Sequence, residues 1–118
     1  FDEGADEDRR QVSAVIRKVQ EYVRDHLDGD LSLTKLSEIV YLSPTYLSKL
    51  YKQETGQGLC EFIMESRVQK AKELLLQSQQ KIHKIARSVG FESAAYFTRC
   101  FKKITNMTPQ EFRDGGKG

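Results

Sequence analysis

Part of this chain is written twice, and no other feature constrains its fold as much. Tyr46-Leu47-Ser48-Lys49-Leu50-Tyr51-Lys52 and Tyr96-Phe97-Thr98-Arg99-Cys100-Phe101-Lys102 both run aromatic, apolar, hydroxyl, base, apolar, aromatic, Lys. The match continues through Thr55 with Thr105, Glu61 with Glu111 and Phe62 with Phe112, always at an offset of 50. Upstream the offset is 49, pairing Leu33 with Ile82, Leu36 with Ile85, Ser37 with Ala86 and Val40 with Val89. The one-residue difference falls in the turn between the blocks, where chain length changes most cheaply. The repeated unit is helix, turn, helix. Two copies do not make a solenoid, which needs three or more units to bury its faces. They point instead to a pair of similar reading heads.

Hydrophobic spacing places the elements around this repeat. From Arg9 to Leu27 the apolar residues Val12, Val15, Ile16, Val19, Val23 and Leu27 form one face of an amphipathic helix, with Gly29 placed to end it. Ser32 caps a short helix whose Leu33, Leu36, Ile39 and Val40 point inward. Ser43 caps the next, with Pro44 at the first helical position, and Gly56 supplies a left-handed stop. A long helix from Leu59 to Gln77 carries Phe62, Ile63, Val68, Ala71, Leu74 and Leu75 as its inner stripe. The second unit opens at Ile82; Ser93 caps its second helix, and Asn106 stands where the first copy has Gly56. Thr108-Pro109-Gln110-Glu111 is a capping box for a short last helix. No strand pattern appears. The expected fold is all-α, with about seven helices and two helix-turn-helix motifs joined by a long central helix. The expected divisions are an acidic linker end (1–8), a first subdomain (9–57), a connecting helix (58–78), a second subdomain (79–114) and a disordered tail (115–118).

Charge becomes informative once it is divided. Five of the 17 acids lie in the first eight residues, so the other 110 carry 19 bases against 12 acids, a net of +7. That balance favours a polyanionic partner. No stretch approaches a membrane span. The lone, widely spaced thiols Cys60 and Cys100 make no disulfide framework and fit a reducing compartment, so a cytoplasmic protein is expected. Cys100 matches core Leu50 and reads as a buried, inert thiol. His26 and His83 lack ligand spacing, so neither metal nor cofactor is expected. No nucleophile with an orienting base and no paired carboxylates point to catalysis, so an enzyme is not expected. The absence of an initiator Met reads as a fragment of something longer, with its acidic start leading from an upstream domain.

Each second helix has two faces. Leu47, Leu50, Tyr51 and Glu54 share one side, and Thr45, Ser48, Lys49 and Lys52 the other; Phe97, Cys100, Phe101 and Ile104 oppose Ala95, Thr98, Arg99 and Lys102 in the second copy. The outer stripes are small or short-polar first, then basic. That gradient suits a helix whose N-terminal half lies in a DNA major groove. One such stripe alone would read as an ordinary solvated face; the same kinds of residue in both copies argue for function. Small Ser37 and Ala86 let each preceding helix pack closely. A 19-residue connecting helix is about 28 Å long, against about 34 Å between successive groove faces of B-DNA. Tyr46 and Tyr96 fit core-edge packing and a nucleic-acid contact equally well.

These residues also carry a family resemblance. Leu42 to Lys52, Thr55-Gly56, Arg67 to Leu75, Gly90-Phe91-Glu92-Ser93, Tyr96 to Lys103, Thr108-Pro109 and Phe112-Arg113 resemble the AraC/XylS family of bacterial transcription regulators. The resemblance covers about residues 9 to 114. It implies sequence-specific double-stranded DNA binding by two recognition helices joined by a long helix. By position, base contacts would come from Thr45, Ser48, Lys49, Ala95, Tyr96 and Arg99, and phosphate contacts from Ser43, Lys52, Arg67, Ser93, Thr98 and Lys102. Ala94-Ala95 stands where the family often has longer polar side chains, which leaves Arg99 as the strongest base reader of the second unit. The segment from Val12 to Leu33 resembles the output half of a two-component response regulator, implying a phosphorylated receiver upstream, with a metabolite-sensing domain as the other choice. RNA polymerase is a further implied partner; a membrane is not. A reading from another class, a helical protein- or RNA-interaction module, would use the same basic faces and predicts no preference among DNA sequences.

Overall fold

The computed structural model describes residues 3–115, with side chains from Glu7 onward. Seven α-helices and no strands appear among the described residues: α1 (Glu3–Asp25), α2 (Leu33–Ile39), α3 (Pro44–Thr55), α4 (Leu59–Gln77), α5 (Ile82–Ser88), α6 (Ala94–Thr105) and α7 (Pro109–Gly115). The chain divides into two compact units. One runs through His26 and includes Asp30–Leu59; the other comprises Leu27–Gly29 and the chain from Cys60 on.

In the first unit α2 packs on α3. Its buried side chains include Val19, Val23, Leu31, Leu36, Val40, Leu47, Leu50 and Tyr51, while Ser37 lies buried at the close approach of α2 to its neighbours. A phenol inside a core needs a hydrogen-bond partner. Gln20 Nε2 of α1 donates to the Tyr51 hydroxyl at 3.2 Å, and burial holds that phenol above its usual pKa. In the second unit α5 packs on α6 and α6 on α7. Val68, Ala71 and Leu75 of α4 meet Ile85, Ala86, Val89, Phe91, Phe97 and Phe101 in one core. Three aromatic pairs run through it: Phe91–Phe97 at 5.1 Å, Phe97–Phe101 at 5.6 Å and Phe101–Phe112 at 5.5 Å between centroids. Each such pair adds about 0.5–1.5 kcal/mol beyond its buried area.

The structure moves some boundaries. α1 begins at Glu3, not Arg9, so the stretch expected as a linker end is helical from its third residue. Carboxylates such as Glu7 and Asp8 suit the positive end of a helix dipole, and exposed Glu7 pairs with Arg10 at 3.3 Å. Phe1, Asp2, Gly116, Lys117 and Gly118, parts of the expected linker end and tail, lie outside the described residues. α1 also stops at Asp25, and Gly29 does not supply a left-handed cap: among the described glycines only Gly56 and Gly90 have positive φ. Arg67 Nε of α4 donates to the Leu27 carbonyl at 3.1 Å, a group two residues past the last residue of α1. Arg113 takes up carbonyls at the C-terminal end of α4, which a helix leaves orphaned, donating from Nε to that of Leu75 at 3.0 Å and from Nη2 to that of Ser78 at 3.1 Å.

Candidate nucleic-acid interface

The two helix-turn-helix units are built by the same local chemistry. The Ser43 hydroxyl accepts the Tyr46 N–H at 3.1 Å, and the Ser93 hydroxyl accepts that of Tyr96 at 3.1 Å. At the other ends Gly56 and Asn106 both take the left-handed conformation, with φ of 78° and 65°. The Thr55 hydroxyl donates to the Tyr51 carbonyl at 2.7 Å and accepts the Gln57 N–H at 3.2 Å; Thr105 repeats this with Phe101 at 2.8 Å and Met107 at 3.1 Å. The turns also match. Leu42 N–H donates to the Ser37 carbonyl and Phe91 N–H to that of Ala86, at 3.0 and 2.9 Å. Tyr41 and Gly90 both have positive φ, 57° and 101°. Leu42 and Phe91 are thus equivalent, and the extra residue of the second copy is Glu92.

These frames bury one stripe of each helix and leave the other in solvent. Leu47, Leu50 and Tyr51 are buried in α3, Phe97 and Phe101 in α6. Thr45, Ser48, Lys49 and Lys52 are exposed, as are Ala95, Arg99 and Lys102, while Thr98 is half-buried. Two expected core positions are corrected. Ile104 is 39% exposed, because the last turn of α6 extends past the core as Glu54 does in α3. Cys100 is half-buried rather than buried, and Cys60 is exposed.

Tyr46 and Tyr96 are 51% and 45% exposed. The Tyr96 ring stands edge-on to Phe91, 5.8 Å between centroids and 64° between planes. The Arg99 guanidinium lies over the same ring, 5.8 Å from its centroid. The Cys100 thiol beside the Tyr96 hydroxyl raises that phenol's pKa, against the pull of the Arg99 and Arg67 charges. Ser43 and Ser93 use their oxygens as caps, which leaves each hydroxyl proton free to donate outward. Both sit at helix N-termini, where backbone dipoles favour an anion. Arg67 stands apart from the exposed stripes: it is half-buried, its Nε is committed to Leu27, and burial lowers its pKa. The inward roles of Arg67 and Arg113 escape sequence reading, since a bond to a carbonyl about forty residues away leaves no local pattern.

Among the described residues no helix is long and apolar enough to cross a membrane, and no group of three His, Cys, Asp or Glu side chains is placed to hold a metal ion. Two capped helices with a buried inner stripe and an exposed basic outer stripe, each behind a short helix and a tight turn, define the class: a tandem helix-turn-helix DNA-binding domain. The helix-turn-helix domain family matches residues 36–115. The chain belongs to the AraC-type family of helix-turn-helix DNA-binding domains. It is 39% identical over 98 residues to the regulatory protein PocR of Salmonella typhimurium, a match that takes in 83% of this chain and 32% of that protein. It is 37% identical over 101 residues to the arabinose operon regulatory protein of Escherichia coli, covering 85% of this chain and 35% of that one. The chain thus spans about a third of the length of these curated relatives. Among solved structures, the C-terminal domain of AraT, a response regulator from Geobacillus stearothermophilus, superposes with a TM-score of 0.83 at 35% identity, covering 86% of this chain and 84% of that one.

Proposed function

We propose that this chain is the DNA-reading part of a bacterial transcription regulator, with α3 and α6 set in successive major-groove turns of one asymmetric site. The observation that carries this is the outer stripe occurring twice: Thr45, Ser48, Lys49 and Lys52 on α3, and Ala95, Thr98, Arg99 and Lys102 on α6, nearly all exposed while Leu47, Leu50 and Tyr51, and Phe97 and Phe101, are buried on the opposite sides. Thr45, Ser48 and Lys49 read bases in the first half-site, and Ala95, Tyr96 and Arg99 in the second. The small Ala95 side chain suits a thymine methyl, and the Arg99 fork suits the two acceptors of a guanine edge. Ser43, Ser93, Thr98, Lys52 and Lys102 hold phosphates; Arg67 adds its terminal nitrogens while its Nε stays on Leu27. The 19 residues of α4 give a spacer of about 28 Å, commensurate with one groove repeat.

The likeness to the C-terminal domain of a response regulator supports an upstream receiver domain whose state controls DNA binding; an effector-binding domain would occupy the same place in the chain. RNA polymerase is the partner through which bound protein would act on transcription. The membership in a DNA-binding family weighs against the protein- or RNA-interaction reading.

The test is the salt dependence of binding to a preferred duplex. Lys52→Ala and Lys102→Ala should each flatten the slope of log K against log salt by about 1, without changing which sequences are preferred. An unchanged slope in both variants would remove the phosphate roles.

A further inference from the structure

Arg99 is exposed at the surface of α6, yet its guanidinium does not hang free. It lies over the Tyr96 ring at 5.8 Å, within the range at which a cation is attracted by an aromatic face. The two residues are three apart, so a helix places them on one side. The ring is itself held, because its edge contact with Phe91 ties it to a residue that is 3% exposed and packed 5.1 Å from Phe97. A chain of contacts therefore runs from the second unit's core, through Phe91 and Tyr96, to the Arg99 fork.

We infer that Tyr96 is a positioning residue for Arg99, its ring holding the guanidinium in the pose that reads a guanine edge. The inference rests on the DNA-reading function proposed above for α6. An unheld arginine surrenders rotamer freedom when its fork docks; one already stacked surrenders less. The neighbouring Ala94 and Ala95 add no long polar group, so discrimination by this helix depends on how well Arg99 is placed. The device belongs to the second head. At the matched positions of the first are Leu42, Tyr46 and Lys49, an aliphatic chain in place of the Phe91 ring and a compact ammonium in place of the planar fork.

The experiment measures, by competition binding to duplexes differing at one position, the preference for guanine that Arg99→Ala abolishes. Tyr96→Ala, and Tyr96→Leu, which keeps apolar bulk but has no π face, should each lower that preference by about fivefold. Tyr96→Phe should keep it within about twofold, and Tyr46→Ala should leave it as it is. In an Arg99→Ala background, Tyr96→Ala should have no further effect on discrimination at that guanine position. Thermal unfolding checks that every variant is folded. Retained discrimination in folded Tyr96→Ala and Tyr96→Leu would overturn the positioning role, as would equal weakening toward all four bases. A wild-type protein with no guanine preference traceable to Arg99 would overturn the reading of α6 itself, and the inference with it.

Discussion

At the residue scale, the two turns impose a positive φ on very different side chains. Tyr41 and Gly90 occupy equivalent places with positive φ, a region where any Cβ is strained. Tyr41 meets this strain with its side chain in the open, 90% exposed. Gly90 has no such outlet: a Cβ there would collide with the Leu27 carbonyl oxygen and stand 2.7 Å from Arg67 Nε. Positive φ therefore predicts effects of opposite sign at the two positions. Gly90→Ala should lower stability by about 2–4 kcal/mol, from backbone strain and overpacking together. Tyr41→Gly, losing no packing, should raise it by about 0.5–1 kcal/mol. Urea unfolding monitored by helical circular dichroism reads both. A neutral Gly90→Ala would mean that Arg67 and Leu27 are not held where the structure has them.

At the element scale, helix starts and stops follow from chemistry within a few residues of chain. That is why Ser32, Ser43, Ser93, Gly56, Asn106 and the box at Thr108–Glu111 were legible in the sequence, along with the buried stripes of α3 and α4. What was not legible depends on distant partners. Arg67 takes up the Leu27 carbonyl beyond the end of α1, and Arg113 the Leu75 carbonyl in the last turn of α4. The half-burial of Cys100 likewise depends on how its neighbours fill the second core, which a match to Leu50 does not reveal. The outer stripes were legible because repetition exposed them; the Tyr96–Arg99 stack was not, since the same spacing in the first copy has different neighbours. The box on α7 makes a pH prediction. Glu111 accepts the Thr108 N–H at 2.8 Å, and that bond first, then the Thr108 hydroxyl, holds its carboxyl below the usual 4.5. A folded pKa below the unfolded one gives stability that is present above about pH 4.5 and lost as pH falls through the folded value. Melting temperatures of wild type and Glu111→Gln should therefore converge on acidification from pH 7. A gap that stays constant to low pH would exclude the ionised cap.

At the scale of the whole molecule, two unlike reading heads stand in tandem on one chain with a net charge of +7 beyond its first eight residues. Two heads repeated head to tail predict an asymmetric site; a two-fold pair would demand a palindrome. They also predict that each head can be blinded separately. The most direct measurement is selection from a random duplex library at near-physiological salt, run with wild type and with Arg99→Ala. Tandem heads should recover two short sequence blocks about one helical turn apart, with Arg99→Ala relaxing one block by about 1–3 kcal/mol at a single position and leaving the other sharp. Recovery of a palindrome, or of no sequence preference beyond salt-sensitive general binding, would contradict two tandem reading heads.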